Sequence, residues 1–88
     1  MPKDTVLVVD DEEDILELVS FNLSREGYEV EQAATGEEAL EAVQKGMPDL
    51  IILDLMLPGI DGLEVCRRLK GDRITEHIPV IMLTAKGE

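Results

Sequence analysis

Eighty-eight residues allow one small domain, and at that size folding buries only about 60 to 65% of the surface an unfolded chain exposes, so stability rests on a narrow margin. Twenty acidic against eight basic residues give a formal net charge of −12, which repels nucleic acid and anionic membrane surfaces, and aromatics at 2% leave no stacking platform for bases. Hydrophobic residues at 44% and charged residues at 32% mark a globular chain, and no apolar run nears the ~20 residues of a membrane span.

Met1-Pro2-Lys3-Asp4 leads into the first apolar run without the charged, apolar and small-residue regions of a signal peptide, so a soluble cytoplasmic protein is expected. Val6 to Val9 is continuously apolar, as a parallel strand covered on both faces would be. A helix follows from roughly residue 12 to 26, with Ile15, Leu18, Val19 and Leu23 as its apolar stripe and Gly27 as its stop. Tyr28 to Ala33 alternates apolar or neutral side chains with Glu29 and Glu31, the pattern of an edge strand.

The second helix starts at Thr35 and Glu38, a capping-box spacing; Ala39, Leu40 and Val43 face inward and Gly46 ends it. Leu50 to Leu53 is a second interior strand. The third helix begins near Asp61, buries Leu63, Cys66 and Leu69, and stops before Gly71. Val80 to Leu83 also has an interior strand's composition, yet only five residues follow it, Thr84 to Glu88. The expectation is therefore a βαβαβαβ chain truncated after its fourth strand, whose open apolar edge drives homo-oligomerisation or segment exchange. Cys66 is the only cysteine, which excludes an internal disulfide, and packs as a small side chain.

Ligands of open α/β sheets bind beyond the carboxyl ends of the strands. Asp10 and Asp11 follow the first strand, Asp54 ends the third and Thr84 ends the fourth, so the fold gathers three carboxylates and a hydroxyl at one edge. Adjacent carboxylates repel one another until a cation enters, and Mg²⁺ suits a site of one or two carboxylates plus a phosphate oxygen. Asp11 and Asp54 are expected to ligate directly, with Asp10 acting mainly through water. Asp54 can then attack a phosphoryl donor in line, and Thr84 can hydrogen-bond the product and draw its loop inward. Taken singly, Asp10 and Asp11 could cap the first helix and Asp54 could make an Asx turn.

Val9-Asp10-Asp11-Glu12, Leu53-Asp54-Leu55-Met56-Leu57-Pro58-Gly59, Asp61-Gly62 and Leu83-Thr84-Ala85 together resemble the receiver domain of bacterial two-component response regulators across all 88 residues. The resemblance implies a flavodoxin-like fold with sheet order 2-1-3-4 and three helices, here lacking the fifth strand and the last two helices. It also implies a phosphorelay role in which Asp54 is the phosphoacceptor, Asp10 and Asp11 are the acidic pocket, Met56 offers its backbone carbonyl to Mg²⁺, and Thr84 is the switch hydroxyl. A sensor histidine kinase would donate the phosphoryl group in the full-length parent. The family's phosphate-facing lysine at the end of the fifth strand has no counterpart, and Lys86, two residues after Thr84, is not that residue. Weak or undetectable phosphorylation of the isolated 88 residues is the consequence.

Three rivals compete with this reading. An aspartate-nucleophile phosphohydrolase would carry a second Asp two residues after the first, where this chain has Met56, so an enzyme is not expected. A nucleotide-binding module is disfavoured by the acidic first turn, Asp10 to Asp14. A self-associating fragment without signalling activity is the third. His77 stands without Cys or another His near it and belongs to the surface, as do Glu37, Glu38 and Glu41 on a solvated helix face.

Overall fold

A computed structural model describes residues 3–83 of the chain. Its elements run β1 (Thr5–Val9), α1 (Glu13–Arg25), β2 (Glu29–Ala33), α2 (Gly36–Gly46), β3 (Leu50–Asp54), α3 (Gly62–Lys70) and β4 (Val80–Leu83). All strand pairs are parallel and the sheet order is β2-β1-β3-β4, the expected arrangement. No described helix is long and apolar enough to cross a membrane.

The continuous apolar run in β1 serves two cores at once, because successive strand residues point to opposite faces. Val6 and Val8 pack with Leu16 of α1 on one face. Leu7 and Val9 pack with Ala39, Val43, Val65 and Leu69 of α2 and α3 on the other. Each fully buried Val or Leu contributes about 1.5 to 3 kcal/mol, so these two layers dominate the stabilisation of the sheet. The strand that reads as an edge is one: Glu29 and Glu31 are exposed in β2, which pairs only with β1 among the described residues. At the other edge β4 is half-buried rather than buried, and Ile81 is exposed.

Two helix faces differ from the sequence expectation. In α1 the core residue is Leu16, with Val19 and Leu23 against it, whereas Leu18 is 58% exposed. Leu16 and Leu18 lie about 200° apart on a helix, so they cannot share a face. In α3 the inward residues are Gly62, Val65 and Leu69, with Cys66 partly buried, and Leu63 is 64% exposed. The spacing i, i+3, i+4, i+7 from Gly62 defines that face and leaves Leu63 outside it.

The helix ends follow the capping chemistry with small shifts. Thr35 Oγ1 accepts from the Glu38 N–H at 3.0 Å, but the Glu38 carboxylate reaches one residue further back than a standard box, to the Ala34 N–H at 2.9 Å. Asp61 Oδ1 accepts from the Glu64 N–H at 2.9 Å, as its position predicts. Gly27 follows α1 with φ +100°, a conformation that needs a residue without Cβ. Gly46, expected to end α2, remains helical; the left-handed residue is Met47 at φ 45°, whose N–H returns to the Val43 carbonyl.

Candidate functional site

The parallel register assembles the site. Val9 is paired with Leu53 and Asp54 with Leu83, and the Asp10 N–H continues the ladder to the Ala33 carbonyl at 3.1 Å. Asp10 and Asp54 therefore leave neighbouring strands at the same carboxyl-terminal edge. Asp10, Asp11 and Asp54 each offer a carboxylate oxygen, and the three oxygens lie within 4.8 Å of one another. Asp10 is buried, Asp54 partly buried and Asp11 exposed, so the cluster opens to solvent on one side.

Two local turns orient the carboxylates. Asp10 Oδ1 accepts from the Glu12 N–H at 2.8 Å, and Asp54 Oδ1 accepts from the Met56 N–H at 3.1 Å. The Asx turn is thus real at Asp54 without excluding a site, because a carboxylate has a second oxygen and further lone pairs. Neither Asp10 nor Asp11 is the N-cap of α1: that position is Glu12, which makes no side-chain capping bond, while its N–H is the one that Asp10 accepts.

Burial pushes the Asp10 carboxyl above its ordinary value, outweighing the Glu12 N–H that stabilises the charged form; the charges of Asp54, Asp11 and Glu12 push it further up. This edge accumulates negative charge that the described residues do not balance, and a hard divalent cation would relieve it. Opposite oxygens in a Mg²⁺ octahedron stand about 4 Å apart. The three carboxylates, with oxygens within 4.8 Å of one another, are the hard oxygen donors that such an ion takes.

The other expected site residues are placed less fully. Met56 follows on the same turn, with its side chain 64% exposed and its N–H on Asp54. Thr84 and Lys86 lie outside the described residues. Leu83, which precedes Thr84, is in register with Asp54, and its carbonyl accepts the Leu55 N–H at 3.1 Å. His77 is exposed and remote from the acidic cluster in the sheet topology, and Cys66 is a partly buried free thiol. Sequence reasoning gave no role to the Glu12 N–H, which orients Asp10; a backbone donor depends on the turn and carries no residue-specific signal.

The profile of the response regulator receiver domain matches residues 6–88. The alkaline phosphatase synthesis transcriptional regulatory protein PhoP of Bacillus subtilis is 52% identical over 83 residues, 94% of this chain and 34% of that protein. The phosphate regulon transcriptional regulatory protein PhoB of Rhizobium meliloti is 50% identical over 88 residues, 100% of this chain and 38% of that protein. The chain thus spans about a third of the length of these curated relatives. Among solved structures, the N-terminal domain of a response regulator receiver protein from Methanoculleus marisnigri superposes with TM-score 0.90 at 48% identity, covering 93% of this chain and 67% of that one. The response regulator TrrA of Thermotoga maritima, in complex with Mg²⁺ and BeF, gives TM-score 0.88 at 44% identity, covering 96% of this chain and 71% of that one.

Proposed function

The chain belongs to the response regulator receiver domain family, and on that premise we propose that it accepts a phosphoryl group on Asp54 in a Mg²⁺-dependent reaction. The observation that carries the proposal is the convergence of Asp10, Asp11 and Asp54 at the ends of β1 and β3. The Mg²⁺ and BeF bound by the Thermotoga relative support it, since beryllium fluoride is a tetrahedral anion resembling a phosphoryl group. Asp11 and Asp54 would hold the cation directly, Asp10 through water, and the Met56 carbonyl would add a ligand. Bound Mg²⁺ would supply neutralisation of charge developing on the transferred oxygens.

An Asp54 oxygen forms the new bond to phosphorus as the bond from phosphorus to the donor breaks, and the donor group leaves with its electron pair. For a phosphohistidine donor, as in a sensor histidine kinase, the leaving group is the imidazole. Bound Mg²⁺ would balance the acceptor's charge, and the Met56 N–H holds one of its oxygens in place. Thr84 would then hydrogen-bond the phosphoryl oxygens as the switch hydroxyl. Met56 gives no general acid to hydrolyse the product, which supports a signalling receiver rather than a turnover enzyme.

Among the described residues β4 pairs only with β3. The half-exposed apolar β4 favours pairing with a second copy or segment exchange.

The test is incubation with Mg²⁺ and a small acyl phosphate, followed by intact mass measurement of this polypeptide and its Asp54→Ala variant. Phosphate on Asp54→Ala would refute the acceptor assignment. Sedimentation at high concentration tests self-association, and a monomer there refutes it.

A further inference from the structure

We infer that Gly62 and Gly36 are positioning residues for the acidic site: by allowing two helices to touch the β3–α3 turn, they fix where Asp54 and the Met56 backbone stand relative to Asp10 and Asp11. This rests on the reading of Asp10, Asp11 and Asp54 as a Mg²⁺ site.

Gly62 opens α3 directly against the peptide unit that carries Asp54. A Cβ at this position would overlap the Asp54 carbonyl oxygen and stand 2.8 Å from Leu55 Cα, and both neighbours are backbone atoms that cannot rotate away. The contact is fastened from both sides. The Gly62 N–H donates to the Leu55 carbonyl at 3.0 Å, and the Leu55 N–H donates to the Leu83 carbonyl at 3.1 Å.

Gly36, the first residue of α2, meets the far end of the same turn. Its added Cβ would lie 2.7 Å from both Ile60 Cγ1 and the Ile60 carbonyl oxygen, and 2.8 Å from Val65 Cγ2. The segment between Asp54 and Gly62 is therefore gripped at one end by α3 and at the other by α2. Met56 lies within it, with its N–H on the Asp54 carboxylate.

The physical consequence follows from the tolerance of metal sites. Ligand distances must hold within about 0.2 Å, and residues that orient ligands without touching the metal typically change affinity about 10- to 100-fold when replaced. Relieving the overlap at residue 62 must displace either the start of α3 or the Asp54–Leu55 peptide, and the second displacement moves the carboxylate itself. A purely architectural glycine would lower stability and leave the affinity of the folded molecules unchanged.

The experiment is calorimetric Mg²⁺ titration, well below each protein's unfolding midpoint, of the wild type, Gly62→Ala, Gly36→Ala, Asp54→Asn and Gly27→Ala. Gly27 has positive φ and nothing within 4 Å of an added Cβ, so its substitution introduces backbone strain without touching the turn. We expect Mg²⁺ affinity to fall about tenfold in Gly62→Ala and severalfold in Gly36→Ala, with Gly27→Ala at the wild-type value. Wild-type affinity in a folded Gly62→Ala overturns the inference. If Gly62→Ala does not fold, Gly36→Ala decides by the same criterion: wild-type affinity overturns the inference and weakened affinity sustains it. A wild type that binds no Mg²⁺, or an Asp54→Asn that binds it equally well, instead defeats the metal-site reading beneath it.

Discussion

The Met56 N–H donates to Asp54 Oδ1 at 3.1 Å, so the carboxylate proposed as acceptor is also the cap of its own turn. The two roles separate chemically. Asn keeps a carbonyl oxygen for the turn but lacks the nucleophilic carboxylate, whereas Ala lacks both. Asp54→Asn should fold at least as well as the wild type without Mg²⁺, because one of three repelling charges is gone. Asp54→Ala should be about 1 kcal/mol less stable than Asp54→Asn. Neither should gain phosphate by intact mass. Equal urea midpoints for the two variants would show that the turn bond contributes nothing.

Asp10 gives a pH signature. Its carboxyl is raised above the ordinary 3.8, first by burial and then by the charges of Asp54, Asp11 and Glu12. The folded chain thus binds this proton more tightly than the unfolded chain does. Its contribution to stability is complete below pH 3.8 and is lost as pH rises through the folded value. Asp10→Asn, which retains the oxygen facing the Glu12 N–H, should therefore become progressively more stable than the wild type as pH rises from 3.8 in Mg²⁺-free buffer. Saturating Mg²⁺ should shrink or reverse the difference. Parallel urea titrations across pH check this, and a gap that narrows with rising pH contradicts it.

On α3, Leu63 and Val65 distinguish the observed helix face from the one expected by spacing alone. Val65 is fully buried and Leu63 is 64% exposed. Val65→Ala should cost about 2 kcal/mol through lost burial and an incompletely closed cavity. Leu63→Ala should stay within about 0.5 kcal/mol of the wild type. Chemical denaturation of both variants decides the matter, and a larger loss at Leu63 would restore the expected face.

The errors at Leu18 and Leu63 have one physical origin. Both helices carry more apolar residues than one face can hold, so hydrophobicity leaves the rotation about the helix axis undetermined. Strands leave less freedom. The unbroken Val6 to Val9 run required cover on both faces, and Glu29 and Glu31 marked an edge, so these features were legible. Asp10, Asp11 and Asp54 were legible because charged residues ending apolar strands must converge at one sheet edge. The approach of Gly62 to the Asp54 peptide was not. A glycine needed for contact across the fold carries no local signal separating it from one that ends a helix. Lys70 is similar: its ammonium donates to the Glu76 and Ile78 carbonyls at 3.1 and 2.8 Å, a staple of the loop before β4 that no helical spacing reveals.

Asp61 tests how firmly α3 holds the turn. Its Oδ1 accepts the Glu64 N–H, and its replacement by Ala leaves that donor without its cap at a cost of about 1 kcal/mol. Asn retains the acceptor and should restore most of the loss. Glu64 does not confound the comparison at neutral pH, because hydrogen bonds first from Arg67 and then from Arg68 hold its carboxyl down to about 2. If capping alone is involved, Asp61→Ala lowers the melting temperature while folded molecules keep their Mg²⁺ affinity, since the Gly62 N–H still reaches the Leu55 carbonyl. Thermal melts of Asp61→Ala and Asp61→Asn, paired with calorimetric Mg²⁺ titration below the melting range, separate these effects. Weakened Mg²⁺ binding in Asp61→Ala that Asn does not restore would mean that the acidic side chain, rather than its hydrogen bond to α3, governs the neighbouring site.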